Sequence, residues 1–335
     1  MNRTHVVLLM SPQDRDAEPF RAALAAAPDV AQRVELRFVD PSAAESPEGL
    51  AALAEAEVAC VANRPTPVLA RAPKLRWVAF WGAGLDRSAT PDLLARKLLI
   101  TSASGVHGPN IAEHVLAFML MFARRMPVYQ RAQAGHVWQG RTDYVEGMRE
   151  LSGETLGILG LGQIGLALAA RAKAFGMRVL ATRRDGASGQ RMGPEVDAVY
   201  GPEGLSEVLR AADHLCVCLP YTPETHHLLD AGRLAELKPT AYLYNIARGP
   251  IVDEAALIEA LRAGRLAGAG LDVFEVEPLP ADSPLWDMPN VLITPHVAGL
   301  TPHYFTRLAA LFVDNLRRYL DGQPLRNLYQ PTRGY

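Results

Sequence analysis

One turn constrains this chain more than any other segment. The apolar run Thr155-Leu-Gly-Ile-Leu159 reads as a buried strand, Gly160-Leu-Gly-Gln-Ile-Gly165 as a tight turn, and Leu166–Phe175 as the helix that follows. Glycines at these three offsets strip the turn of side chains, so its backbone can approach a ligand and the helix can pack closely on the strand. A G-x-G-x-x-G match alone is weak. The strand before it and the helix after it make it a dinucleotide cradle, with Gly160, Gly162, Gln163, Ile164 and Gly165 placed around a pyrophosphate at the helix N-terminus.

Such a turn needs a parallel, helix-covered sheet, and the rest of the chain supplies one twice. Strand candidates Val6–Met10, Val34–Val39, Val58–Ala62, Trp77–Phe80 and Leu98–Thr101 alternate with helical stretches such as Glu18–Ala27 and Glu48–Glu55. A second series runs Thr155–Leu159, Arg178–Thr182, Ala198–Tyr200, His214–Leu219, Ala241–Ile246, Gly268–Val273 and Val291–Thr294, with helices such as Ile164–Phe175 and Glu254–Ala263 between them. This alternation predicts an α/β chain built on parallel, helix-covered sheets. Two stretches read as linkers: Ser102–Pro109, before the apolar helix Ile111–Met121, and Val297–Pro302, before a final helix over Tyr304–Leu320. That last helix is expected to return to the first domain. Residues 1–104 and 300–335 would then form a substrate domain, with a dinucleotide domain (105–299) inserted into it and a cleft between the two.

Bulk composition narrows the partners. The 335 residues are 49% hydrophobic and 21% charged, with a net charge of −2, so no overall field favours nucleic acid or an anionic membrane. The first apolar run, Val6–Met10, is too short for a signal-peptide core or a membrane span. Three cysteines (Cys60, Cys216, Cys218) lack zinc-ligand spacing and fit a reducing cytoplasm. Cys216 and Cys218 alternate in an apolar run, which places both on one face of a buried strand.

The chemistry-bearing residues follow the turn in order. After the next strand comes Thr182-Arg-Arg184, with Arg183 where a ribose-gripping carboxylate stands in NAD-specific sites. Arginine there pairs with a 2′-phosphate, so Arg183 and Arg184 point to NADP(H), with NAD(H) as the second possibility. In Asn245-Ile-Ala-Arg-Gly-Pro250, Arg248 lies at a strand's carboxyl end and offers a permanent cation that can hold a carboxylate bidentately. Glu277, ending Gly270-Leu-Asp-Val-Phe-Glu-Val-Glu277, can hydrogen-bond a histidine and favour its imidazolium form. His296, in Thr294-Pro-His-Val-Ala-Gly299, stands just before the second linker and is the acid–base candidate. His114, within a helix, and His226-His227, in a loop, read as structural. Trp81 and Tyr144 are candidates to shape a substrate pocket.

The chain resembles the D-isomer-specific 2-hydroxyacid dehydrogenase family. The resemblance is carried by Ile111-Ala-Glu-His-Val115, Gly160–Gly165, Leu219-Pro-Tyr-Thr-Pro-Glu-Thr225, Leu237-Lys-Pro239, Asn245–Glu254, Gly270–Pro278 and Thr294–Gly299. It implies two flavodoxin- or Rossmann-like domains with parallel sheets, and hydride transfer from a nicotinamide to a 2-oxo acid, with Arg248, Glu277 and His296 as the catalytic residues and no metal. The family's nicotinamide-contacting aspartate falls on Asp272, and its cofactor positions include Pro220, Thr225, Ile246, Ala247 and Gly299. Its substrate-carboxylate loop falls on Gly82-Ala-Gly-Leu-Asp86, whose Ala83 and Gly84 N–H groups would face the substrate. Arg183 departs from the NAD-using members and is similar to the NADPH-linked glyoxylate and hydroxypyruvate reductase branch. A homodimer through the cofactor domain is expected, with the Arg131–Glu150 segment reaching across. Some relatives are NAD(H)-sensing corepressors, which remains the alternative reading.

Overall fold

The computed structural model describes residues 3–62, 67–85, 88–138, 147–186 and 190–330. Asp86 and Tyr144 lie outside the described residues. The chain divides into two compact units, Met1–His107 with Thr301–Tyr335, and Gly108–Leu300.

The smaller unit carries a five-stranded sheet in the order β2-β1-β3-β4-β5, formed by β1 (Thr4–Leu9), β2 (Val34–Val39), β3 (Val58–Val61), β4 (Trp77–Phe80) and β5 (Leu99–Thr101). Every pairing in it is parallel. Period-two alternation splits its core into two layers. Val6, Leu8, Cys60 and Trp77 join one layer with Phe20 and Phe312, whereas Val7, Leu9, Val61 and Phe80 join the other with Leu53 and Leu69. The helix Tyr304–Leu320 buries Leu308, Ala309, Phe312, Val313 and Leu316 along one stripe, and Phe312 meets the Trp77 ring at 5.5 Å between centroids.

The larger unit carries an eight-stranded sheet in the order β13-β12-β11-β10-β6-β7-β9-β8. Its strands are β6 (Thr155–Leu159), β7 (Arg178–Thr182), β8 (Gln190–Met192), β9 (Val196–Tyr200), β10 (His214–Val217), β11 (Tyr242–Asn245), β12 (Gly268–Leu271) and β13 (Val291–Ile293). All pairings are parallel except β8 with β9, which is antiparallel. β8 has no counterpart in the sequence reading. The strands β10, β11 and β12 also stop one or two residues short of the apolar runs that suggested them. After β11 and β12 the runs continue because Ile246 and Val273 stay buried on leaving the ladder. Cys218 accordingly lies just past β10, half-buried, with its Sγ 3.6 Å from that of Cys216 on the same face.

The strand order reverses between β6 and β10. A crevice at the carboxyl ends of the strands opens at such a switch point, and it is where doubly wound sheets bind ligands. The glycine turn leaves β6 at that point.

Candidate active site

Each glycine of the turn has a different reason to be there. Gly160 has φ +97°, and a Cβ on it would stand 2.8 Å from the Cys218 carbonyl oxygen across the switch point. A Cβ on Gly165 would stand 2.6 Å from the Gly160 oxygen, so the helix Gln163–Ala174 could not enter so close to β6. Around Gly162, the residue capping that helix, nothing lies within 4 Å of a Cβ position. There the backbone is open to close approach, in front of a helix N-terminus whose dipole favours anions. Gln163 is exposed beside it, and Ile164 packs half-buried against the core. These features fit a dinucleotide pyrophosphate.

β7 is tied to the turn. The Thr182 carbonyl accepts the N–H groups of Gly160 (3.2 Å) and Leu161 (2.9 Å), so the exposed Arg183 and Arg184 begin one residue beyond that tie. Arg183 N–H donates to the Tyr200 carbonyl at 2.9 Å, and Gly186 N–H donates back to the Arg183 carbonyl at 3.0 Å. The two positions directly after β7 thus carry arginines rather than a carboxylate. After β10, the Pro220–Thr225 loop closes on itself. The Thr225 hydroxyl donates to the Pro220 carbonyl (2.8 Å) and accepts the Thr222 N–H (2.8 Å). Thr225 thus holds the turn, a task for which its hydroxyl hydrogen is already committed. Glu224 lies in this loop, its carboxyl held below the usual range by the Thr222 hydroxyl and its own backbone N–H, with a smaller contribution from Arg184.

Arg248, Glu277 and His296 follow the neighbouring strands β11, β12 and β13. Asn245 templates the first of these loops: its side chain accepts the Ala247 N–H (3.2 Å) and donates to the Arg248 carbonyl (3.0 Å). Ile246 and Ala247 are buried, and the half-buried Arg248 guanidinium donates to the Ala247 carbonyl at 2.8 Å. Gly249 was not singled out from sequence, yet a Cβ on it would sit 1.9 Å from the Phe274 carbonyl carbon. Only glycine lets the loops after β11 and β12 cross so closely.

His296 Nδ1 lies 2.8 Å from Glu277 Oε2, and Glu277 Oε1 accepts the Phe274 N–H at 3.2 Å. The His296 side chain is 49% exposed, so the ring can reach a ligand while one nitrogen is held. Its backbone is in the left-handed region (φ +54°), and its N–H donates to the Asp272 carbonyl at 2.8 Å. Asp272, only 1% exposed, is the hub of this loop. Its carboxylate accepts the Thr294 hydroxyl (2.5 Å) and the N–H groups of Val297 (2.9 Å) and Ala298 (3.0 Å). Gly299 follows, half-buried.

His114 was read as a plain helix residue, but its Nε2 lies 3.0 Å from the Thr294 hydroxyl oxygen. Because that hydroxyl donates to Asp272, it accepts from His114 Nε2–H. Burial holds His114 below the usual histidine range against the opposing pull of Asp272, which suits the neutral donor. His227 instead pairs with Glu275 at 2.8 Å, and its ring stacks on His226.

In the smaller unit, the chain leaves β4 through Trp81, Gly82, Ala83 and Gly84. Trp81 N–H donates to the Val61 carbonyl (3.0 Å), and the Gly82 carbonyl accepts the Ala103 N–H (2.9 Å). Ala83 and Gly84 are half-buried at the carboxyl end of the sheet. Among the described residues, no group of three or more histidine, cysteine or acidic side chains could hold a metal ion. Nor is any helix there long and apolar enough to cross a membrane.

Comparison with known proteins agrees with this layout. Residues 116–298 match the model of the D-isomer specific 2-hydroxyacid dehydrogenase NAD binding domain. Glyoxylate/hydroxypyruvate reductase B of Pectobacterium carotovorum subsp. carotovorum is 41% identical over 78% of this chain and 81% of its own. The Escherichia coli protein of the same name is 36% identical over 90% of this chain and 95% of its own. A D-isomer specific 2-hydroxyacid dehydrogenase from Xanthobacter autotrophicus, solved with NADPH and MES, superposes with a TM-score of 0.80 at 35% identity, covering 99% of this chain and 100% of that one. An NADPH-dependent glyoxylate/hydroxypyruvate reductase from Sinorhizobium meliloti, solved with NADP and sulfate, gives a TM-score of 0.80 at 29% identity over the whole of both chains. The chain belongs to the D-isomer specific 2-hydroxyacid dehydrogenase family.

Proposed function

We propose that this protein is an NADPH-dependent 2-oxoacid reductase acting on small substrates of the glyoxylate and hydroxypyruvate class. The observation that carries the reading is the His296–Glu277 pair at 2.8 Å, one strand away from the loop that presents Arg248. NADPH, when bound, supplies the hydride that reduces the keto carbon. The turn Gly160–Gly165 would hold its pyrophosphate, Arg183 and Arg184 its 2′-phosphate, and Asp272 its carboxamide. Pro220, Ile246, Ala247 and Gly299 would line the same site.

The chain's own residues do the rest. Ala83 and Gly84, in the unit we assign to substrate, take the carboxylate on backbone N–H groups. Arg248, in the larger unit, offers a cation that can pair with a carboxylate and polarise the ketone, drawing electron density toward the oxygen. Glu277 accepts a hydrogen bond from His296 Nδ1–H, which fixes the ring and leaves Nε2–H to deliver a proton to the oxygen. His296 is left neutral and recovers its proton from solvent; oxidation of the hydroxy acid reverses each step. The relatives named for glyoxylate and hydroxypyruvate, and the neighbours solved with NADPH or NADP, support the substrate class and the cofactor.

The exposed apolar residues Val137 and Trp138 (the latter 94% exposed) support a homodimer through the larger unit, which light scattering would reveal. Three free cysteines suit a cytoplasmic location. The decisive assay follows absorbance at 340 nm with NADPH or NADH and 2-oxo acids from glyoxylate to phenylpyruvate. Rapid NADPH oxidation with small acids is expected. Dinucleotide binding without turnover of any acid would overturn the reading in favour of an NAD(H)-sensing corepressor.

A further inference from the structure

The proposed carboxylate site is a backbone site, so its quality depends on how firmly residues 81–84 are held. Among the described residues, three hydrogen bonds fix the way into it. Two are main-chain bonds, Trp81 N–H to Val61 and Ala103 N–H to the Gly82 carbonyl. The third comes from a side chain more than two hundred residues away in sequence: the Tyr304 hydroxyl donates to the Trp81 carbonyl at 2.5 Å.

Tyr304 is the first residue of the helix Tyr304–Leu320, which is anchored on the sheet core by Leu308 and Phe312. Its ring is wedged between the His107 ring, stacked at 5.1 Å, and the Phe305 ring, edge-on at 4.9 Å. Phe305 in turn packs edge-on against the Trp81 indole at 5.6 Å. The phenol is therefore delivered to the Trp81 carbonyl by a packed aromatic group and has little freedom to leave it. Burial pushes its ionisation well above the ordinary tyrosine range, so the hydroxyl hydrogen stays in place to donate.

We infer that Tyr304 is a positioning residue for substrate binding: by holding the Trp81 carbonyl it fixes the peptide planes of Gly82, Ala83 and Gly84 that receive the substrate carboxylate. The inference rests on the 2-oxoacid reductase reading above. Peptide planes are rigid, so fixing the carbonyls of Trp81 and Gly82 limits rotation in the residues that follow. A preorganised donor pair costs nothing to order when the anion arrives, whereas a loose one must be ordered at the expense of affinity. The carboxylate is present and unchanged throughout the reaction. Its grip is uniform binding, and weakening it raises KM with kcat nearly intact.

The test is steady-state kinetics of Tyr304→Phe, which keeps the ring and deletes the hydroxyl, beside Tyr304→Leu, which lacks both. With glyoxylate, KM is expected to rise roughly tenfold, the scale of one lost hydrogen bond plus a loosened loop. The inhibition constant of oxalate, a carboxylate that cannot be reduced, should rise in parallel. Turnover and the KM for NADPH should stay within about twofold, a split that general loosening of the fold would not give. An unchanged KM and oxalate constant in both variants, with the wild-type protein active, would refute the role of Tyr304 and leave the reductase reading standing. A fall in turnover at constant KM would refute it equally. A wild-type protein that reduces no 2-oxo acid would instead remove the reading on which the inference rests.

Discussion

Replacing Asp272 by asparagine tests whether this carboxylate holds the His296 loop or serves only a bound cofactor. The carboxylate is buried and accepts three hydrogen bonds, from the Thr294 hydroxyl, Val297 N–H and Ala298 N–H. An amide of the same shape has one acceptor oxygen. Whichever way it turns, at least one backbone N–H faces an NH2 group and loses its partner. An unsatisfied buried donor costs about 1–3 kcal/mol, and the bonds that survive lose their charge assistance, so a total of about 3 kcal/mol is expected. For a unit of this size that corresponds to a fall of roughly 6–12 °C in unfolding temperature. His296 would be loosened with the loop, because the carboxylate pins Val297 and Ala298 directly after it, and turnover should fall roughly a hundredfold. Calorimetry on the cofactor-free protein separates the two roles. A lowered unfolding temperature without NADPH supports the clamp. An unchanged temperature with lost turnover would refute it and leave Asp272 as a cofactor contact alone.

The remaining predictions concern single groups. His296→Ala should lose about 10²–10⁴-fold in turnover while NADPH still binds, as measured by fluorescence titration; near-normal turnover would remove His296 from the mechanism. Arg183→Ala should cut the preference for NADPH over NADH, in kcat/KM, by roughly tenfold or more, and an unchanged ratio would mean the arginine does not meet a phosphate. Far from the ligand edge, Glu154 bonds the buried His214 at 2.6 Å and Arg149 at 2.6 Å. Burial raises its ionisation, but the bonds from His214 and Arg149 outweigh this and hold the carboxyl below its ordinary value. A folded-state value below the unfolded one contributes stability that is complete above the unfolded value, about 4.3, and is lost as pH falls through the folded one. Acid titration of unfolding should therefore show a decline below about pH 4.3 that Glu154→Gln makes shallower. A superimposable titration would mean that other carboxylates carry the effect.

Much of the fold was legible because most strands are buried on both faces. Runs such as Trp77–Phe80 and Thr155–Leu159 are buried at every position, and the observed strands have the limits those runs suggested; Val34–Val39 and Arg178–Thr182 keep their limits too, although Arg37 and Arg178 are exposed. Legibility failed where burial and strand pairing part company. Val273 and Phe274 remain buried after β12 has ended, because the chain is already in the crossing with Gly249. The edge strand Gln190–Met192 is three residues long and follows a polar stretch, so no hydrophobic run announces it.

The site divides in the same physical way. Arg248, Glu277 and His296 were visible because their side chains have chemistry of their own and occur in order. The groups that hold them act mostly by hydrogen bonds from a side chain to someone else's backbone. Asn245 shapes the Arg248 loop, Asp272 the His296 loop, and Tyr304 the exit from β4. Every residue carries a backbone carbonyl, and all but proline an N–H, so the partner of such a bond leaves no mark in its residue type. Thr294 and His114 are 180 positions apart, and only the fold brings the helix Gly108–Ala123 beneath the His296 loop. Such holding residues decide whether the visible ones stand within a few tenths of an ångström of use. Substituting them is therefore a sharper test of the mechanism than deleting the residues the sequence already names.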